Sequence, residues 1–349
     1  MIGWGSVAHY MTIPARAGRN GTTFRMRFVR PAMILALTVA ALAGPAPAQV
    51  ALTPVGPAPA DPDATLVEEL VVTARLPGPA WWRVTNGTST VYVLGSPGLA
   101  PKRLQWDRSV FERRLQGANQ VILPTRGPRV KLGGAPGFAI AYLKLKSSTP
   151  IEETLPEPLR SRFIAVRERL GQPAKHYGTK NPLGAGVLLV GDYREKHQLT
   201  DSDPTKLIRY LAQQAKVPVE QRSYDLGPLM GSIAKTPKAS GMTCLEEAVQ
   251  QAEEGPGVTL GAARAWAAGD VRGALAAERT YERCMAVAPG ALAFDARTKA
   301  DMAAAIAKAL KTPGHSIAVV QLRPLLSQGG VLDRLRAQGF EVHTPGEEG

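Results

Sequence analysis

Residues Trp81 to Gly95 read WWRVTNGTSTVYVLG, with Asn86-Gly87 between two runs of aromatic and β-branched residues. Asn-Gly in this setting is a strong hairpin signal, because both residues tolerate the positive φ angles of a tight two-residue turn. The stretch therefore predicts two antiparallel strands. Since neighbouring side chains in a strand point to opposite faces, Val91 and Val93 are expected on one face of the hairpin.

Hydrophobic periodicity, together with the Gly and Pro residues that end helices and strands, predicts the elements that accompany the hairpin. Helices are predicted at residues 106–117, 157–170, 203–216, 243–253, 260–268, 271–285, 294–310 and 330–338. Further strands are predicted at residues 120–123, 217–219, 316–322 and 340–343. Pro124 is expected to end the first of these strands, and residues 226–240 are expected to form a loop. The order favours an α/β sandwich, whose central mixed sheet is built from N- and C-terminal strands around a helical middle.

The first part of the chain has the layout of an export signal. Arginines precede an apolar run at residues 32–43, and Ala46-Pro47-Ala48 then supplies small residues. This layout predicts a signal peptide at residues 26–48, cleaved near Ala48-Gln49, and hence a periplasmic or secreted protein. Met26 stands directly before the basic residues, so residues 1–25 are expected to be a mis-annotated start. The apolar run is shorter than the roughly 20 residues that span a bilayer, so no stable transmembrane span is expected in the mature chain. An uncleaved anchor is the alternative.

The net charge of the mature chain is lower than that of the full sequence, because the predicted leader is basic. The 349 residues carry 42 Lys and Arg against 29 Asp and Glu, a formal charge of +13. Residues 1–48 hold five arginines and no acidic residue, which leaves +8 for the mature chain. No basic run longer than two residues remains, so a nucleic-acid partner is not expected. Residues 49–79 are rich in Ala and Pro and are expected to form an extended linker before one domain at 80–345.

The number and spacing of the cysteines and histidines limit the kinds of disulfide and metal site that the chain can form. In an exported protein Cys244 and Cys284 favour one disulfide, and the alternative is a pair of buried free thiols. Four histidines follow the leader, without the i, i+4 spacing of a helical zinc site, and are expected at the surface or in loops. They are His176, His197, His315 and His343. Asp270 is expected to cap the next helix rather than to act as a catalytic acid.

Several segments together resemble the TraB/GumN family. They are the hairpin at residues 82–95, the helix and strand that end at Val121-Ile122-Leu123, the segment at residues 265–270 (AWAAGD) and the segment at residues 330–342 (GVLDRLRAQGFEV). Each motif is weak alone, and their order and spacing make the resemblance fairly specific over roughly residues 80–345. The resemblance implies an α/β sandwich. It also implies metallopeptidase ancestry, because family members related to the Tiki proteins are metal-dependent peptidases.

The sequence departs from the family pattern where that pattern carries its chemistry. The pattern has Gly-Thr-x-His after the second strand, Glu at the end of the next strand and Gly-x-x-His on the C-terminal strand. Here the first motif reads Gly95-Ser96-Pro97-Gly98, Pro124 stands at or beside the Glu position, and Pro324 stands near the second His. Neither Gly nor Pro has a side chain that can ligate a metal. Ser96 lacks the Gly-x-Ser-x-Gly setting of a nucleophile. No catalytic residue, metal or cofactor is therefore expected.

The sequence predicts an exported TraB/GumN-like protein without metal-dependent catalysis. We expect it to act as a binding or structural module of the cell envelope, with an unidentified periplasmic or envelope protein as its partner. The alternative is a metal-dependent peptidase or other hydrolase whose ligands have moved to other positions.

Overall fold

The structure is a computed structural model of the chain, and it describes residues 61–129 and 135–347. These residues belong to one compact unit, Thr53–Gly349. The predicted signal peptide at residues 26–48 and the segment before it lie outside the described residues. No helix in the described ranges combines the length and the apolar character that crossing a membrane requires.

A six-stranded mixed sheet organises the described part of the chain, in the order β6-β4-β7-β2-β1-β8. Its strands are β1 (Trp81–Thr85), β2 (Ser89–Ser96), β4 (Val121–Arg129), β6 (Val219–Asp225), β7 (Gly314–Gln321) and β8 (Glu341–His343). Strands β6, β4, β7 and β2 run parallel, whereas β1 is antiparallel to both of its neighbours. A separate two-stranded ladder pairs β3 (Ala100–Pro101) with β5 (Leu199–Thr200). Strands from both ends of the chain thus build the sheet, and the predicted fold class is confirmed.

The predicted hairpin and its two faces are confirmed, but its register differs from the one that a two-residue Asn86-Gly87 turn predicts. Thr85 pairs with Thr90, and Gly87 at the turn has a φ of 88°. Val91 and Val93 are fully buried in the hydrophobic core on one face of the sheet, whereas Leu94 is buried on the other. Asn86 lies opposite Ser89, so the turn lies one residue further along the chain than predicted. The register is thereby shifted by two residues, which leaves the same side chains on each face of the hairpin.

Helices cover both faces of the sheet and fill the middle of the chain. They are α1 (Ser109–Leu115), α2 (Ala135–Lys144), α3 (Ile151–Thr154), α4 (Leu159–Arg169), α5 (Ala174–Tyr177), α6 (Pro182–Lys196), α7 (Asp203–Gln214), α8 (Gly227–Ser232), α9 (Lys238–Glu254), α10 (Gly257–Ala267), α11 (Val271–Ala274), α12 (Thr280–Ala286), α13 (Ala291–Ala309), α14 (Leu322–Leu326) and α15 (Val331–Ala337). Buried side chains of α1 and α7 pack on one face, and those of α10, α13 and α15 pack on the other. Helices α4, α6 and α9 bury a further hydrophobic cluster of their own.

Strand β4 does not end at Pro124 as the sequence predicted. It continues to Arg129, with register shifts after Leu123 and after Arg126. Pairing of β4 with β7 stops at Ile122, so Pro124 lies where that side of the strand has no partner and its missing N–H removes no ladder hydrogen bond. The loop expected at residues 226–240 was also wrong, since it contains α8. The single helix expected at 271–285 forms two helices, α11 and α12.

The described part of the predicted linker lies against the domain. Leu70 is fully buried, and the Trp82 side chain donates a hydrogen bond from Nε1 to its carbonyl oxygen over 3.3 Å. Isolated antiparallel bridges join Leu66 to Ser327 and Thr73 to Asp270. Residues 61–79 thus differ from the extended linker that their Ala and Pro content predicted, because a few apolar residues anchor them to the core.

Candidate functional site

The four parallel strands bring their carboxyl ends to one edge of the sheet. Ser96, the last residue of β2, pairs with Gln321, the last residue of β7. One strand further along, Leu123 of β4 pairs with Gln221 of β6, and Pro124 follows. Ligand sites in sheets of this kind lie outside the carboxyl ends of parallel strands. This edge is therefore the candidate functional site, and the positions that the sequence analysis singled out lie on or beside it.

A cavity of about 240 Å³ lies at this edge, between the strand ends and helix α7. Ser96, Pro124, Gln221 and Gln321 line it from the sheet. Helix α7 and the turn before it supply the opposite wall, through Asp201, Ser202, Thr205, Lys206 and Arg209. We call this space the edge cavity. It brings together two of the five positions that the sequence singled out, Ser96 and Pro124.

A second, smaller cavity of about 60 Å³ adjoins the first, and Gln321 lines both. Gly98 and Pro324 line this smaller cavity, so two further predicted positions lie beside the edge cavity rather than in it. A Cβ atom added to Gly98 would meet no heavy atom within 4 Å. Space for a side chain therefore exists where the family pattern has its first histidine, and the residue that would fill it is missing.

Gly95, the fifth predicted position, has a packing role. A Cβ atom there would lie 2.4 Å from Cδ2 of Leu322 and 2.8 Å from Cζ3 of Trp82. The Trp266 indole donates a hydrogen bond to the Gly95 carbonyl oxygen over 2.6 Å. Trp266 belongs to the motif at residues 265–270, so this contact joins two of the segments that carry the family resemblance. Only glycine fits at this point of close approach.

A chain of hydrogen bonds holds a cation beside Pro124. The Pro124 carbonyl accepts a hydrogen bond from Nε2 of Gln221 over 2.6 Å, and Oε1 of Gln221 accepts one from the Arg209 guanidinium. The sequence analysis missed both Arg209 and Gln221, because nothing in the spacing of a helix and a short strand shows that their side chains meet. An arginine thus lies next to the position where the family pattern has a glutamate.

A buried ionic cluster borders the smaller cavity and was also missed. The Lys299 ammonium, 4% exposed, lies 2.6 Å from Oδ1 of Asp63 and 2.7 Å from Oδ2 of Asp295. Arg279 pairs with both Asp61 and Asp63. Burial raises the pKa of the Asp295 carboxyl, and the charge of Asp63 adds to this effect, although Lys299 opposes both. The cluster ties the segment before β1 to α12 and α13.

The histidines do not meet at the edge cavity. His176 contacts the Asp192 carboxylate over 2.9 Å, and the buried Tyr177 hydroxyl donates to the same oxygen. His315 contacts the Arg114 carbonyl, and His343 lies between two glutamates near the end of the chain. Within residues 61–129 and 135–347, no group of three or more His, Cys, Asp or Glu side chains is placed to hold a metal ion. The described residues of this edge therefore do not fit the metal that the resemblance implies.

Two predictions about the helical middle are confirmed. Cys244 of α9 and Cys284 of α12 form a disulfide, with 5.0 Å between their Cα atoms. The Asp270 side chain caps α11 by accepting a hydrogen bond from the Gly273 N–H over 2.9 Å. Asp270 therefore has the structural role that its position after Gly269 predicted.

Comparison with known protein families assigns the chain to a family. A family model described as the TraB/PrgY/gumN family matches residues 80–344, well over half of the chain. The chain belongs to the TraB/PrgY/gumN family. The match begins at the residue before β1 and runs through β8, so it includes every strand of the six-stranded sheet. Searches of curated proteins and of solved structures gave no match.

Proposed function

We propose that this member of the TraB/PrgY/gumN family is an exported binding or structural module of the cell envelope and does not carry out metal-dependent catalysis. One observation carries the proposal. The carboxyl edge keeps its cavities, but Gly98, Pro124 and Pro324 stand on it where the family pattern has ligating side chains. An unidentified periplasmic or envelope protein remains the expected partner.

The charge around the edge cavity supports the absence of a catalytic metal. Lys206 and Arg209 line the cavity, and Asp201 supplies the carboxylate among its described lining residues. A divalent cation needs several deprotonated or neutral donors and is repelled by neighbouring ammonium and guanidinium groups. Because Arg209 is held next to Pro124, the electrostatic environment at that strand end favours an anion.

Export is supported by the disulfide and by the leader. Disulfides persist in oxidising compartments such as the periplasm, and Cys244–Cys284 joins two helices of the folded domain. N-terminal sequencing of the protein from fractionated cells tests export directly. We expect a chain that begins near Gln49 in the periplasmic or secreted fraction. A cytoplasmic protein that begins before Met26 would contradict the proposal.

The alternative, a hydrolase with displaced ligands, has one observation in its favour. Three carboxylates, Asp63, Glu278 and Glu282, line the smaller cavity beside Gly98. Each of them already has a partner. Asp63 pairs with Lys299, Glu278 accepts a hydrogen bond from the Thr280 N–H, and Glu282 lies 3.6 Å from Arg194. Partners of this kind compete with metal ligation, so the binding module is favoured.

Hydrolysis assays separate the two proposals. The purified chain is incubated with a mixed peptide pool, with and without a chelator, and products are measured by mass spectrometry. We expect no chelator-sensitive cleavage. Cleavage that a chelator abolishes and a divalent metal restores would support the alternative. Loss of that cleavage in Asp63→Asn would then place the displaced ligands in the smaller cavity.

A further inference from the structure

We propose that the edge cavity binds an oxyanion, a phosphate or a carboxylate group of a small polar ligand. This inference rests on the proposed function and names the class of ligand for the same edge of the sheet. It follows from a serine hydroxyl in the cavity wall, a fixed guanidinium and a polar lining.

Ser96 provides the first observation. The residue is only 3% exposed and lines the edge cavity. Ser96 is the last residue of β2 and pairs with Gln321, so strand pairing holds its hydroxyl at the floor of the cavity. It is placed to donate to an acceptor atom in the cavity.

Arg209 provides the second observation. Its guanidinium is oriented by Gln221, which is itself held by the Pro124 carbonyl. An oriented guanidinium presents N–H donors in one plane, which suits the paired oxygens of a phosphate or carboxylate. Gln221 accepts a hydrogen bond from one nitrogen of the Arg209 guanidinium. An anion would therefore bind to the remaining N–H groups of that guanidinium.

The spacing along α7 explains why several donors face the same space. Thr205 and Lys206 precede Arg209 by four and three residues, so the three side chains lie on one face of the helix. That face lines the edge cavity. The lining is otherwise composed largely of hydroxyl and amide groups from the sheet, including Thr125 and Gln321. Such a lining suits a ligand that is polar throughout and carries an anionic group.

The neighbouring surface extends the positive potential. A cavity of about 450 Å³ shares Lys206 with the edge cavity and is also lined by Arg103 and Arg108, with no carboxylate among its described lining residues. Asp201 is exposed at the edge cavity, where water and salt screen its charge. Basic side chains therefore continue beyond the edge cavity, and one of them, Arg108, is paired with Glu112 over 3.7 Å.

Calorimetric titration of the purified chain tests the proposal, with inorganic phosphate and succinate as probes and neutral succinamide as the control ligand. We expect phosphate, succinate or both to bind with a dissociation constant below about 1 mM, and succinamide not to bind. Phosphate alone would identify a phosphate-bearing ligand, and succinate alone a carboxylate-bearing one. Failure of both anions to bind would overturn the proposal.

Charge-matched variants locate the site. Arg209→Gln should weaken binding at least about tenfold, because it removes a charge-assisted hydrogen bond. Lys206→Gln, at an exposed residue that cannot disturb the core, should also weaken binding. Lys311→Gln is the control, since Lys311 is exposed and precedes β7 at the opposite edge of the sheet. Equal affinities of all three variants would overturn the proposal.

The outcome is separable from that of the proposed function. A stoichiometric metal would contradict the proposed function whatever the anion titration shows. A metal-free protein that binds neither anion would contradict the oxyanion site but not the proposed function.

Discussion

Ser96 and Gln321 pair at the carboxyl ends of two neighbouring parallel strands, and both side chains line the same cavity. Neither residue titrates near neutral pH, and neither is a usual ligand for a catalytic metal. The sheet of this TraB/PrgY/gumN family member thus has a cavity at its carboxyl edge that is lined largely by hydroxyl, amide and basic groups.

The disulfide should contribute strongly to stability. Cys244 and Cys284 are 40 residues apart, and closing a loop of that length stabilises the folded state by about 4 kcal/mol in the chain-entropy model. The double variant Cys244→Ala/Cys284→Ala should lose a comparable free energy of unfolding in urea titrations. Reduced wild-type protein serves as the control and should show a similar loss. Two thiols that react with an alkylating agent in the native, unreduced protein would contradict this expectation.

Gly95 should not tolerate a side chain, whereas Gly98 should. Gly95→Ala places a methyl group against Leu322 and Trp82, and overpacking of this kind costs about 1–3 kcal/mol. Gly98→Ala meets no atom within 4 Å and should change stability by less than about 0.5 kcal/mol. Urea unfolding of the two variants measures the difference. Equal stabilities would show that the packing around β2 is looser than the structure indicates.

Lys299 should be essential to the attachment of the segment before β1. Lys299→Met leaves Asp63 and Asp295 without their shared cation, and breaking a buried ion pair from one side costs about 3–5 kcal/mol. The control is Arg272→Met, which breaks the exposed pair with Glu68 and should cost at most about 1 kcal/mol. Thermal and urea unfolding give the comparison. A mild effect at Lys299 would mean that the cluster does not hold this segment to the domain.

One surface ion pair should leave a signature in the pH dependence of stability. The hydrogen bond from Arg162 lowers the pKa of Glu253, so its stabilising effect is fully present above the ordinary value of 4.5. That effect is lost as the pH falls through the lowered pKa. Glu253→Gln should therefore destabilise the protein by about 0.5 kcal/mol at pH 7, since both side chains are about one third exposed.

Urea titrations of wild type and Glu253→Gln from pH 7 downward follow this effect. The difference between the two proteins should shrink as the pH falls below the ordinary pKa of a glutamate. A difference that stays constant or grows toward low pH would show that the ionised carboxylate is not what stabilises the contact.

Much of the fold could be predicted from the sequence, because local sequence signals specify the same elements that the tertiary structure contains. Asn86-Gly87 indicated the hairpin, Asp270 specified a helix cap, and the presence of two cysteines indicated one disulfide. Each of these depends on neighbours along the chain or on simple pairing chemistry. For the same reason the six strands of the main sheet could be predicted, whereas α2 and the ladder of β3 and β5 could not.

Other features could not be predicted, because they depend on contacts between distant residues. The path of β4 beyond Pro124 follows from the end of its pairing with β7, which no local pattern reveals. The Arg209–Gln221 contact joins a helix to a strand, and the Asp63–Lys299 pair joins residues more than two hundred positions apart. The predicted positions Ser96 and Pro124 do meet in one cavity, but the basic character of that cavity emerges only from the tertiary structure.

The metal content of the protein isolated from its native cells tests the central claim most directly. Elemental analysis of the purified, unchelated chain should find far less than one divalent metal per molecule. Dialysis against zinc, cobalt or manganese should not raise the content to a stable stoichiometry. One tightly held metal per chain, retained through purification and removed only by a chelator, would contradict the account.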